Sequence, residues 1–188
     1  MKQLIIYVSI IFPVMVACMI MMISGDVTVS YSGFGMDSSG VLYVGKDGVI
    51  EKYHNGSLIG EFSSRTSRGY AFAVQSDDTV LLSTSSTVYS LDLHGNEIEK
   101  QEDVLSKIFY QLDITKKSFK SADGKLYNVI SPFGRTRIVC ETGEEIFTMP
   151  LKDYIVKVIL SLCGLSVFVF SSLMVYKFRI RKESFFNI

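Results

Sequence analysis

Two long apolar runs without a charge bracket the chain, Gln3 to Gly25 and Val158 to Tyr176. A helix needs about 20 apolar residues to cross a bilayer core, so each run predicts a transmembrane helix, over residues 4–25 and 154–177. Between them the pattern changes to short alternating stretches bounded by Asp, Asn and Gly, which predicts antiparallel strands. The resulting plan has five parts: a short cytoplasmic N-terminus over 1–3, a first span, an extracytoplasmic all-β domain over 26–151, a second span, and a basic cytoplasmic tail over 178–188. One stretch departs from the strand pattern. Asp103 to Asp113 places Val104, Leu105, Ile108, Phe109 and Leu112 at helical spacing, and so predicts a short amphipathic helix. Its apolar stripe either covers the core or forms a docking surface for a partner or the membrane.

The strand segments recur. Gly33-Phe-Gly-Met-Asp-Ser-Ser-Gly-Val-Leu-Tyr-Val-Gly, Tyr70-Ala-Phe-Ala-Val-Gln-Ser-Asp-Asp-Thr-Val-Leu-Leu-Ser and Lys117-Ser-Phe-Lys-Ser-Ala-Asp-Gly-Lys-Leu-Tyr-Asn-Val align by eye. Each holds a short strand, an acidic turn (Asp37, Asp77, Asp123) and a second, apolar strand. A third strand follows at Val49–His54, Thr87–Asp92 or Thr136–Glu141. Then come a Gly turn (Gly56, Gly95, Gly143) and a last strand at Leu58–Phe62, Glu97–Gln101 or Glu145–Met149. The turn glycines lie 39 and 48 residues apart, the larger step containing the helical insertion. Four strands in about 40 residues is the unit of a propeller blade. The pattern resembles NHL-type β-propeller repeats across residues 33–149. That resemblance implies an interaction platform that meets ligands on one face. Three blades are fewer than a propeller usually closes with, so the array is expected to complete itself on a partner or a second copy. Val27-Thr-Val-Ser-Tyr alternates like a further strand able to pair with the last blade.

Charge fixes an orientation. The whole chain balances at 19 Lys/Arg and 19 Asp/Glu, but residues 26–151 hold 12 against 17. An acidic domain has the wrong sign for neutralising phosphates, so nucleic acid is excluded as a partner. Basic residues favour the cytoplasmic flank of a span. Lys2 precedes the first run, and Lys177, Arg179, Arg181 and Lys182 follow the second. Both termini are therefore expected in the cytoplasm, as in an integral protein of the cell membrane, with Lys157 as an anchor at the outer interface. Met15-Val16-Ala17-Cys18 resembles a lipoprotein box, and Ser24-Gly25 is a weak signal-cleavage site. The apolar residues Met19 to Ile23 favour a retained anchor over both.

Catalytic chemistry is sparse. Cys140 is the one cysteine between the runs, so no disulfide can form within the β domain. His54 and His94 occupy matching turns, where with Asp92 they are weak metal candidates, since a site takes three or four ligands. Asp77-Asp78 and Glu144-Glu145 read as solvated turn acids. No nucleophile elbow, dinucleotide fingerprint or calcium loop is present. The expectation is a non-enzymatic, membrane-anchored interaction module without a cofactor. The alternative is a sensor that binds a small molecule or wall polymer outside and signals through its helices.

Overall fold

The computed structural model describes residues 7–66, 69–84, 86–102 and 107–186. Two compact units emerge: Ser30–Pro150, and the segments before and after it.

Ser30–Pro150 is a mostly β unit of three antiparallel four-stranded sheets, each a simple meander. The first holds β1 (Gly33–Met36), β2 (Leu42–Gly45), β3 (Val49–His54) and β4 (Ser57–Ser63). The second holds β5 (Ala71–Val74), β6 (Val80–Ser83), β7 (Thr87–Leu91) and β8 (Glu97–Glu102). The third holds β9 (Ser118–Lys120), β10 (Leu126–Ile130), β11 (Arg137–Cys140) and β12 (Glu145–Thr148). The repeat extends to the hydrogen bonds. The β1–β2, β5–β6 and β9–β10 turns close through Gly40 N to Asp37 O, Asp78 N to Gln75 O and Gly124 N to Ser121 O. Gly40, Asp78 and Gly124 share a positive φ of 80°, 61° and 87°. Asp37 is thus equivalent to Gln75 and Ser121, whereas Asp77 and Asp123 stand two positions later. The outermost strand of each sheet also bulges by one residue, at Ile59, Ile98 and Ile146.

The first sheet is covered on both faces, which is why every residue of β1 and β2 is buried. Strand side chains alternate between faces. Phe34, Met36, Leu42 and Val44 pack with Phe119, Tyr127, Ile138 and Phe147 of the third sheet. The opposite face sends Tyr43 and Ile50 against Phe72, Val80, Leu82 and Leu91 of the second. Glycine is needed on that face of the inner strands. A Cβ at Gly35 would lie 2.6 Å from Val74 Cγ2, and one at Gly45 2.7 Å from Phe72 Cε1.

The helical insertion appears as α2 (Lys107–Leu112), followed by a 3₁₀ turn at Asp113–Lys116. That turn meets β1, β5 and β9, the innermost strands of all three sheets, while α2 packs on β5 and β6. The Thr115 hydroxyl lies 3.0 Å from Phe72 O and 2.9 Å from Leu112 O. The insertion therefore packs against the innermost strands of the three sheets.

In the other unit, a π-helical turn at Tyr7–Ile11 runs into α1 (Phe12–Ile23). Pro13 lacks the N–H that would bond four residues back, and the widened turn sits just before it. Residues 27–31, which alternate like a strand, are irregular. Val27 and Thr28 are both buried, and Val27 packs with Cys18 and Val156 instead of pairing in a ladder. The last element, α3, runs from Leu151 to Phe186. Among the described residues one helix, Leu151–Leu173, is long and apolar enough to cross a membrane, and a shorter apolar helix covers Ser9–Ile23.

Candidate functional site

The turns at one end of the meanders carry Asp37, Asp77, Asp78, Asp92 and Asp123, while Asp47 sits in the β2–β3 turn at the other end. Asp37 is 4% exposed. Its Oδ1 accepts from Ser39 N (2.9 Å), Ser39 Oγ (2.7 Å) and Val41 N (2.9 Å), and its Oδ2 accepts from Tyr43 Oη at 3.1 Å. Burial pushes the Tyr43 phenol well up, and the facing Asp37 charge adds to the shift. Asp92 accepts from His94 N, Asn96 N and Asn96 Nδ2, and the Asn96 side chain foremost holds its carboxyl below the usual range. The Thr79 hydroxyl does the same for Asp77. Asp123 is brought down to about 2 by Ser121 Oγ and then Lys125. Asp78 bridges repeats, accepting from Ser38 N at 2.9 Å and from the Ser38 hydroxyl. These acids act as turn clamps. None is paired across a cleft in the way acid–base catalysis requires.

Of the stripe predicted as a partner surface, Val104 and Leu105 lie outside the described residues. Leu112 is buried within the β unit, and Ile108 and Phe109 are half-buried. The i, i+4 geometry that turns Ile108 and Leu112 to one side turns Tyr110 outward, 72% exposed. Leu112 therefore packs inside the β unit. His54 and His94 are exposed on their turns. Among the described residues no group of three His, Cys, Asp or Glu side chains is placed to hold a metal. Lys2 lies outside the described residues. Lys157 is half-buried in α3, and Lys177, Arg179, Arg181 and Lys182 lie on its helical backbone with side chains outside the description.

Concavities among the described residues of the β unit include two of similar size. One of about 360 Å³ opens between the first and third sheets, with Met36, Leu42 and Tyr53 beside Asn55, Glu144 and Glu145. The other, about 310 Å³, lies where the inner strands meet the 3₁₀ turn, lined by Phe34, Val74, Phe119, Leu126, Ile114 and Thr115 among others.

Sequence reasoning missed the difference between the three sheet edges. β8 is fully exposed but reads Glu-Ile-Glu-Lys-Gln-Glu, a charged edge that resists pairing. β12 has only four residues. β4 has seven, with Leu58 54% and Ile59 56% exposed and Glu61 as its one charge. The signal was present in Ser57-Leu-Ile-Gly-Glu-Phe-Ser, where two apolar residues adjoin with no charge beside them.

No family model matches the chain, and no curated protein is significantly similar to it. Solved structures that match include a Bacteroides caccae protein of unknown function at 10% identity, covering 65% of this chain and 46% of that one with a TM-score of 0.34. Streptogramin B lyase matches at 15% identity over 65% and 42%, with a TM-score of 0.34. Virginiamycin B lyase from Staphylococcus aureus matches at 12% over 66% and 43%, again at 0.34. The chain spans less than half the length of these structures. At that TM-score neither fold detail nor activity passes from them to this chain, and the three antiparallel sheets stand on their own hydrogen bonding.

Proposed function

We propose that this chain is a non-enzymatic recognition module tethered to the cell membrane by two spans, with both termini cytoplasmic and the β unit outside. Its sheets act as propeller-like blades, and it binds a partner chain by adding a strand to β4. The carrying observation is the β4 edge, long, apolar and lightly charged beside two edges that are charged or short. Strand addition supplies main-chain hydrogen bonds for affinity and side-chain pockets for selectivity. The uncharged α1 run and the longer α3 run support the tether.

The test places a photo-crosslinking residue at Ile59 of the full-length protein in its own membrane, with Ile98 as the control position. Crosslinks to another protein or to a second copy at Ile59, lost on Leu58→Lys, support the reading. Equal yields at Ile98, or none at Ile59, contradict it. A sensor reading is favoured by one observation, the cavity at the meeting of the inner strands. It predicts that a small apolar ligand raises the melting temperature by mass action.

A further inference from the structure

The cavity where the inner strands meet the 3₁₀ turn holds about 310 Å³, and pockets for small molecules begin at about 300 Å³. Its walls are apolar. Phe34 comes from β1, Val74 from β5, Phe119 from β9 and Leu126 from β10, and Ile114 of the 3₁₀ turn stands 60% exposed beside them. Lys120 is the one charged residue among those that line it.

Strand register puts that lysine there. β9 and β10 pair Lys120 with Leu126, Phe119 with Tyr127 and Ser118 with Asn128. Side chains alternate along a strand, so Ser118, Lys120 and Leu126 share one face of the third sheet, while Phe119 and Tyr127 join the core shared with the first. Neighbouring lysines are neutralised within the chain. Lys116 Nζ lies 2.6 Å from Asp113 Oδ1, and Lys125 Nζ lies 3.0 Å from Asp123 Oδ2. Lys120 is exposed, and among the described residues no carboxylate is paired with it. Acids outnumber Lys and Arg by 17 to 12 over residues 26–151, yet none is placed on this cation. The half-buried Ser118 hydroxyl, on the same face, also makes no hydrogen bond among the described residues.

We propose that this cavity takes a small monocarboxylate with an apolar body. The body lies against Phe34, Phe119 and Leu126, and the carboxylate accepts from the Lys120 ammonium and the Ser118 hydroxyl. Hydrogen bonds to an ionised acceptor are about twice as strong as neutral ones, but an exposed ion pair contributes little net energy. The apolar walls therefore supply most of the affinity, and Lys120 selects an acid over a neutral or basic ligand of the same shape. The proposal rests on the sensor reading of this cavity and names the class of ligand such a sensor takes.

Phenylpropionate, phenylpropanol and phenylpropylamine share one apolar body and differ in head-group charge. Each is titrated calorimetrically at neutral pH into the full-length protein and its Lys120→Met and Lys120→Arg variants in maltoside micelles, with thermal unfolding alongside. Partition into the micelle is common to all three proteins, so differences between them report the cavity. Phenylpropionate is expected to raise the melting temperature and to bind about fivefold more tightly than the alcohol, with the amine weakest. Lys120→Met is expected to abolish that preference while leaving alcohol binding unchanged, and Lys120→Arg to keep it. Equal binding of acid and alcohol, a preference that survives Lys120→Met, or one lost in Lys120→Arg overturns the carboxylate site while leaving a ligand cavity. No binding by any probe overturns the sensor reading and the carboxylate site with it. An unliganded melting curve unchanged by Lys120→Met shows that the substitution acts on the ligand and not on the fold.

Discussion

Replacing Asp37 by alanine removes the acceptor for four hydrogen bonds in one step. The cost depends on which donors can regain water. Ser39 is exposed, so its N–H and hydroxyl re-solvate, whereas Tyr43 is 1% exposed and Val41 is half-buried. A buried donor left unpaired costs about 1–3 kcal/mol, which for the Tyr43 hydroxyl and the Val41 N–H amounts to about 3–4 kcal/mol. For a domain of this size that is a drop of roughly 10–20 °C in Tm. Asp37→Asn keeps a carbonyl oxygen for Ser39 and Val41 and a rotatable partner for Tyr43, so it is expected to cost about 1 kcal/mol. Tyr43→Phe alone is expected to cost about 1 kcal/mol, but to recover about 1–2 kcal/mol once Asp37 is alanine, because the stranded hydroxyl is then removed. The assay is thermal and urea unfolding of the full-length protein in detergent, followed by tyrosine near-ultraviolet circular dichroism. An alanine cost below about 1 kcal/mol, or a Tyr43→Phe cost that is the same in both backgrounds, would refute the account of this turn.

Two further outcomes follow from the turns. Gly95 and Gly143 both have positive φ, but a Cβ at Gly95 would lie 2.6 Å from Phe62 Cγ, while one at Gly143 meets nothing within 4 Å. Gly143→Ala should cost about 1 kcal/mol for the backbone alone. Gly95→Ala should cost at least about 1 kcal/mol more, and equal melting temperatures would contradict the packing of the β7–β8 turn on Phe62. The Asp123 carboxyl is held down to about 2 by Ser121 and Lys125, below an unfolded value near 3.9. A lowered carboxyl pKa stabilises the fold fully above the unfolded value, and that contribution is lost as pH falls from about 4 through about 2. Asp77 and Asp92 shift in the same direction. A carboxyl titration of Asp123 by NMR should therefore show a midpoint near 2, and a midpoint at the ordinary value would count against its hydrogen bonds.

The strands were legible because each carries its own punctuation. Val49–His54 was read with its observed bounds, fixed by Gly48 before it and Asn55-Gly56 after it. The burial of both faces of β1 and β2 was not legible, since a continuous run such as Leu42-Tyr-Val does not say which neighbour covers which side. The use of Gly35 as clearance for Val74 of β5 becomes visible only when the packed partner is in place. Val27 to Tyr31 shows how alternation misleads. A period of two predicts a strand only where an edge is available to pair, and Val27 is spent in an apolar cluster with Cys18 and Val156. In the insertion, the helical period was correct for Ile108, Phe109 and Leu112, but the sequence could not show the 3₁₀ turn that carries the Thr115 hydroxyl to Phe72 O of β5. The β4 edge was hidden because edge and centre strands look alike until the sheet order is known.

The most direct test of a β unit held outside the cell by two spans is thiol labelling from one side. Cys18, Cys140 and Cys163 are buried and are first replaced by alanine. His94→Cys then places a thiol on the exposed β7–β8 turn, and Lys182→Cys places one in the basic tail. On intact cells a membrane-impermeant maleimide should label His94→Cys at once and Lys182→Cys only after permeabilisation. Labelling of His94→Cys that appears only after permeabilisation would contradict the topology, and with it the placing of the β4 edge before an external partner.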